Sequence, residues 1–516
     1  MRDAIRTLLV CLLFGSAPMT FHAQSGVAVS PAATVSKSDD RSAQLEQRLE
    51  TISAALVTTH QQLEQSQQQI QQLQEELAQI KKQLGASQPG AVASSSSADT
   101  AGAVNATTAA IEDLRERQDT LEAQVKLHDQ TKVESASKYP IRITGLVLFN
   151  SYINRGAVDN IDLPALALPQ GNGASDGSAG AGFRQTIFGI EGDGPRIAGA
   201  RTSAYVNLDF LGGLAYGSFG TSAGIVRMRT AGINLDWEHD SIQVGFVTPL
   251  ISPLSPTSYA TVAEPGLAGA GNLWTWAPQL RFSHQIPLQS GGHYQFELGL
   301  WDPPSAGYST NQFFRNPSPG EQSKQPAYEA RLSYGASGSD QGLQVGIGGY
   351  YSRQSYPYGD SLNSWAGTFD WRLPFGRHFE LSGEGYRGLA LGGLGGGVYK
   401  NVVSGIDPGS GASAYRGLNA IGGWSQFKTR FGQSLEANLA MGQDSGFASD
   451  FHALVLSPAA SNTQLRARNR MAVANLIFKP KTYLILSPEY RRIWTWPIQG
   501  AGATADVFTF SAGYQF

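Results

Sequence analysis

Apolar residues return at alternating steps of four and three from Leu45 to Leu84, and at every second position after Tyr139. The chain therefore carries two periods and predicts two kinds of element. The first is a heptad. One seam position is held by Leu49, Leu56, Leu63, Ile70, Leu77 and Leu84, the other by Leu45, Ile52, Thr59, Ser66, Leu73 and Ile80. Ten of these twelve are apolar and the other faces are rich in Gln and Glu. So narrow a stripe predicts a coiled coil over 44–84 rather than a helix lying on a globular core. At about 1.5 Å per residue it makes a rod roughly 60 Å long. Residues 85–103, GASQPGAVASSSSADTAGA, have the composition of a flexible linker. A shorter heptad within 104–130 follows, with Ile111, Leu114, Leu121 and Val125 apolar and Gln118 and His128 polar. A coiled coil needs partners, so the chain is expected to be an oligomer. Leu and Ile mix at both core positions, which leaves dimer and trimer open.

The second period belongs to strands. Thr202, Ala204, Val206, Leu208 and Phe210 alternate with Arg201, Ser203, Tyr205, Asn207 and Asp209. Tyr294, Phe296, Leu298 and Leu300 alternate with Gln295, Glu297, Gly299 and Trp301, and Leu435, Ala437, Leu439 and Met441 with Glu436, Asn438, Ala440 and Gly442. One apolar face and one polar or glycine face is the pattern of a half-buried strand. Sixteen such segments begin near 141, 182, 201, 225, 240, 274, 292, 326, 341, 362, 377, 414, 433, 467, 482 and 506.

The connections alternate in length. Eight long ones (154–181, 212–224, 248–273, 302–325, 353–361, 388–413, 444–466 and 493–505) interleave with seven short ones centred on 196, 238, 288, 338, 375, 430 and 480. Even strand number, with short turns on one side and long loops on the other, is the plan of a transmembrane β-barrel. Residues 139–516 are therefore expected to form an all-β transmembrane barrel of about 16 antiparallel strands, preceded by an α-helical coiled coil. A soluble sandwich or solenoid leaves two features unexplained: the polar inner face, and the aromatics near strand ends (Tyr294, Trp274, Trp276, Tyr334, Trp424, Trp494 and Trp496), which read as an interfacial girdle.

Composition agrees with export to a bacterial envelope. Arg2 and Arg6 precede the apolar run Thr7–Phe14, and small residues follow, which predicts a signal peptide over 1–23 and a disordered segment over 24–43. The run is too short to span a bilayer, which takes about 20 residues. Cys11, the one cysteine of the sequence, lies inside the signal. The mature chain then has no disulfide, thiolate chemistry or cysteine metal site. Charged residues make up 15% of the sequence against a usual ~25%, and the net charge is −3. No nucleic-acid partner is expected.

At its last residues, VFTFSAGYQF, the chain resembles the sixteen-stranded trimeric porins of Gram-negative outer membranes. Phe508, Phe510, Ala512, Tyr514 and Phe516 share one face, and in that family such an ending is read by the barrel-assembly machinery. The rod before the barrel is similar in arrangement to porins with an N-terminal periplasmic coiled coil, the DcaP-like dicarboxylate channels. That arrangement favours a homotrimer, held through coiled coil and barrel walls, without transferring a substrate. In such porins the third long loop folds inward; here it is 248–273, whose one charge is Glu264.

About sixteen strands enclose a water-filled lumen, so a channel for small hydrophilic solutes in the outer membrane is the expected function. Alternation turns Arg201, Arg227, Arg229, Arg281, Arg331 and Arg372 inward, together with Asp209, Glu297, Glu329, Glu436 and Asp370. Arginine stays charged and forks around carboxylate or phosphate, so a weak anion preference is expected unless these charges pair across the wall. No catalytic residue, metal ligand or cofactor motif emerges. The eight histidines lack ligand spacing, and neither a G-x-S-x-G elbow nor a P-loop is present. Two other readings stay open: a structural protein linking the membrane to peptidoglycan through its rod, and a barrel enzyme with residues drawn from distant strands.

Overall fold

The structure is a computed structural model that describes residues 140–171, 176–214, 224–289, 291–305, 316–336, 342–356, 360–456 and 465–516. The expected signal peptide, disordered segment, two coiled coils and linker lie outside the described residues.

Alternation of apolar and polar side chains produces nineteen strands among the described residues: β1 (Ile141–Arg155), β2 (Gly177–Gly182), β3 (Ile187–Asp193), β4 (Arg201–Asp209), β5 (Arg227–Asp236), β6 (Asp240–Val247), β7 (Ala277–Pro287), β8 (Gly292–Trp301), β9 (Ala327–Ala336), β10 (Gln344–Ser355), β11 (Ser361–Phe375), β12 (Phe379–Leu389), β13 (Val402–Ile406), β14 (Ser413–Gly417), β15 (Asn419–Phe431), β16 (Leu435–Gly446), β17 (Arg466–Lys481), β18 (Leu484–Pro497) and β19 (Ala503–Gln515). Seventeen form one antiparallel sheet, which closes where β1 pairs with β19, and β13 and β14 form a separate hairpin. β2 and β3 share a single stave. β2 runs beside the upper half of β1, from Asn150↔Gly182 to Arg155↔Gly177, and β3 beside its lower half, from Ile141↔Gly192 to Leu146↔Ile187. The wall is therefore a closed barrel of sixteen staves.

Two boundaries differ from the sequence expectation, each because a tertiary contact overrides local pattern. The second stave, expected as one strand from about 182, is broken at 183–186, where Gln185 turns into the interior and is 3% exposed. The twelfth, expected from about 414, begins at Asn419, and the residues before it pair with 402–406 as the loop hairpin.

The two faces of the wall separate cleanly. Along β19, Phe508, Phe510 and Tyr514 are 41–51% exposed, whereas Val507, Thr509 and Ser511 are 0–9% exposed. Ile347 and Leu439, both 61% exposed, belong to the same outer belt. Apolar exposure that encircles a barrel is unstable against water and suits a hydrocarbon surround. Outward rings mark both edges: Tyr294 and Tyr334 with centroids 5.4 Å apart and Tyr483 and Tyr514 at 5.3 Å on the short-turn side, Tyr490 and Phe508 at 5.1 Å toward the long loops. Trp274, Trp276 and Trp424, expected in this girdle, instead belong to the interior. Trp424 is 3% exposed with its indole N–H turned to Glu384, and Trp276 is 9% exposed. Closure reaches the final residue, because the Phe516 N–H donates to Gly145 O at 3.0 Å and the Gly145 N–H to Phe516 O at 2.9 Å.

Candidate functional site

The long loop between β6 and β7, here L3 (248–276), supplies most of the fill of the interior. Its one charged side chain is Glu264, and its backbone polar groups need partners if it is to leave water. The wall provides them in stave order. Leu250 N–H donates to Glu329 on β9 at 3.0 Å, and Leu254 N–H to Glu384 on β12 at 2.6 Å; Ser252 Oγ–H donates to the same carboxylate. Thr257 N–H donates to Gln426 on β15 at 2.7 Å, and Ser258 Oγ–H to Glu489 on β18 at 2.5 Å. Tyr259 O accepts from Asn150 on β1 at 3.0 Å. Ala260 O accepts from Gln185 at 2.9 Å, Val262 N–H donates to Gln185 Oε1 at 2.7 Å, and Ala263 O accepts from Arg227 on β5 at 2.6 Å.

L3 then returns along the wall. Gly269 O accepts from Asn469 on β17 at 3.0 Å. A Cβ on Gly442 of β16 would lie 2.2 Å from Ala270 O, and one on Gly271 (φ +102°) 2.3 Å from Gly423 O of β15. Glycine at these inward positions lets one backbone lie on another, so part of the glycine excess serves loop docking.

Two further loops join it. The loop from Gly156 to Asp176 is held by Asn469 Nδ2 and Arg491 Nη1, which donate to Ala165 O and Pro164 O at 3.0 Å each. Between β12 and β13, Asp444 accepts from Gly397 N–H at 3.1 Å, Val398 N–H at 3.0 Å and Tyr386 Oη–H at 2.6 Å. Leu254, Leu267, Trp424, Met471 and Ile493 make an apolar core inside the barrel.

The filling is lopsided. The inward residues Glu384, Gln426, Asn469, Asn475, Glu489 and Ser511 of β12, β15 and β17–β19 are buried, whereas Ser203, Tyr205, Asn207, Asn234, Gln243, Arg281 and Ser283 on β4–β7 keep partial exposure. An open strip of interior wall runs along β4–β7.

The residues expected to turn inward lie in different environments. Arg331 binds Asp370 through two bonds of 2.9 and 2.8 Å and Glu297 at 2.8 Å, so it is neutralised in a buried cluster. Glu329 is engaged by L3, and Arg227 forks onto Asp209 at 2.7 and 3.0 Å. Arg201 is exposed at the short-turn mouth, opposite Asp236 in register, and Arg372 is partly exposed two positions from Asp370. Arg229 and Arg281 differ from the rest. A β-bulge opposite Asn207/Leu208 turns Arg227, Arg229 and Thr230 to one side. Arg229 lies 4.9 Å from the centroid of Trp276, whose ring Arg227 approaches at 5.7 Å. Arg281 Nε–H donates to Gln279 at 2.9 Å. Neither forms an ion pair among the described residues, and Nη1 of Arg229 and Nη2 of Arg281 are buried there without an acceptor. Glu264 accepts from Tyr399 Oη–H at 2.7 Å, and burial raises its carboxyl above the usual carboxylate range. The tether residues Gln185, Glu384, Gln426 and Glu489 were not singled out by sequence; a polar side chain at an inward wall position was the available signal.

Neither protein-family models nor curated proteins give a match to the sequence. Solved structures do. The outer membrane channel DcaP of Acinetobacter baumannii superposes with a TM-score of 0.56 at 13% identity, covering 74% of this chain and 99% of that one. The fold is the porin barrel. An anion-selective porin from Comamonas acidovorans (TM-score 0.47, 11% identity, 73% of this chain and 100% of that one) and Salmonella typhi OmpF in complex with daunomycin (0.42, 13%, 73% and 98%) are also similar. Within this porin barrel the inward-folded third loop follows the expected plan, with its tethers spread around nearly the whole circumference.

Proposed function

We propose that the protein is an outer-membrane porin through which small hydrophilic solutes diffuse passively, with a preference for anions such as carboxylates. The observation that carries this reading is the open strip along β4–β7. It is polar, it remains partly exposed while the opposite half is filled, and it holds Arg229 and Arg281, neither of which has an ion-pair partner among the described residues. Each guanidinium group offers a solute carboxylate or phosphate a charged fork, and Trp276 beneath Arg229 adds a flat face beside the charge. The buried Arg331–Asp370–Glu297 cluster serves the wall rather than the solute. Bilayer recording under a salt gradient tests the reading.

The apolar outer belt and its aromatic edges support insertion in the outer membrane, with long loops outside and short turns toward the periplasm. The rod of 44–84 then lies in the periplasm and joins three chains, together with the barrel walls. The end of β19 serves as the assembly signal through Phe508, Phe510, Tyr514 and Phe516. Deleting Phe516 removes the pairing with Gly145 and this address together. We expect at least a tenfold fall in membrane-inserted protein in quantitative heat-shift electrophoresis of membranes, with unchanged unit conductance in the molecules that do insert. Normal insertion with altered conductance would contradict the assignment.

A further inference from the structure

Charges on the outer face of a barrel are costly at mid-membrane, about 2–4 kcal/mol for arginine, and cost about 0–1 kcal/mol near the interface. Four outward arginines nevertheless gather on neighbouring staves at the long-loop edge: Arg468 and Arg470 on β17, Arg492 on β18 and Arg155 on β1. The registers Arg468↔Trp496, Arg470↔Trp494, Arg492↔Asp506 and Arg155↔Asp506 place them in one patch. With strands about 4.8 Å apart, it is roughly 14 Å wide. Arg468 and Arg470 flank the ring of Trp496 at 5.8 and 5.7 Å, Arg492 lies 5.4 Å from Trp494, and Arg155 lies 5.6 Å from Phe508. One carboxylate, Asp506, stands among them, 3.4 Å from Arg492 and accepting from Tyr490 Oη–H at 2.6 Å. Arg470 also donates to Gln443 at 2.6 and 2.8 Å. Directly below, toward mid-membrane, the outer wall is concave. A groove of about 870 Å³ runs past Ile153, Phe427, Leu439, Leu476, Phe508 and Phe510.

We propose that this patch and groove form a binding site for a membrane lipid with a phosphorylated headgroup, in the leaflet on the long-loop side. The guanidinium groups take the phosphates, and the groove takes acyl chains. Charge complementarity selects this occupant: the rim is cationic and the groove beneath it apolar, in the order in which an anionic amphiphile presents its parts. Arginine is suited to the task because it forks onto phosphate while stacking on the indoles that hold it in place.

The test uses the full-length protein in mild detergent and native mass spectrometry. The probes are lipid A with both phosphates, its dephosphorylated form, and phosphatidylethanolamine. Lipid A should be retained over both others, and inorganic phosphate at equal concentration should not displace it. The R468Q/R470Q variant should bind lipid A about thirtyfold more weakly, at about 1 kcal/mol per basic residue near an anionic surface. Heat-shift electrophoresis and conductance identify variant molecules that are folded. Independently of the variant, retention by the unaltered protein should fall as ionic strength rises. Equal retention of the dephosphorylated lipid, unchanged retention by the folded variant, or retention insensitive to salt would each overturn the proposal. So would cross-links between copies across residues 468–470, which would give the face to a second copy. Channel conductance is read separately, so failure here leaves the porin reading standing or falling on its own measurement.

Discussion

Replacing Glu384 with alanine should release the first arm of L3 and widen the channel. This carboxylate accepts from Leu254 N–H at 2.6 Å and from the Ser252 hydroxyl, with Trp424 Nε1 at 3.4 Å. It is 5% exposed, so water does not replace it without the loop moving. Each buried donor left without an acceptor costs about 1–3 kcal/mol. Two of them shift the docked loop toward detachment by about 2–6 kcal/mol, or roughly 30- to 25,000-fold. Single-channel records should then show larger and noisier openings, and heat-shift electrophoresis a lower unfolding temperature. The outer belt and the β1–β19 closure are untouched, so the barrel should still insert. Records indistinguishable from the unaltered protein would show that L3 is held by other means.

Inverting the charge of the open strip should invert its selectivity. In the Arg229→Glu, Arg281→Glu double variant, two cations without ion-pair partners among the described residues become two anions. Unit charges 4 Å apart interact by about 1 kcal/mol in bulk water and about 4 kcal/mol at an effective dielectric constant near 20. Even the weaker value at two sites is worth more than tenfold in relative permeability. The reversal potential under a salt gradient should change sign in the double variant and move toward zero in each single one. Arg331 offers no comparable lever, because its charge is already met by Asp370 and Glu297. A double variant with unchanged reversal potential would remove these arginines from the pathway.

Much of the wall was legible in the sequence for a simple reason. A strand with hydrocarbon on one side and a polar interior on the other must alternate, and β19 does so from Val507 to Gln515. Alternating loop lengths then set the strand count, which is why sixteen starts could be placed even where glycine blurred a strand. The interior was less legible. Gln185 breaks the second stave because it serves L3, a contact between residues 75 to 78 positions apart that no local period encodes. Trp276 and Trp424 read as girdle residues because an aromatic near a strand end looks alike on either face; the loop packed inside decides it. For the arginines, alternation supplied the face but not the partner. Arg227 and Arg331 are neutralised by Asp209 and Asp370, while Arg229, two residues from Arg227, has no ion-pair partner among the described residues.

The central claim is an open, arginine-lined passage through a barrel, and single-channel recording of the purified full-length protein in a planar bilayer tests it most directly. In symmetric salt the account predicts stable, discrete conductance steps; under a salt gradient it predicts a reversal potential of the sign set by anions. Absence of stable steps, or a reversal potential of the cation-selective sign, would contradict it.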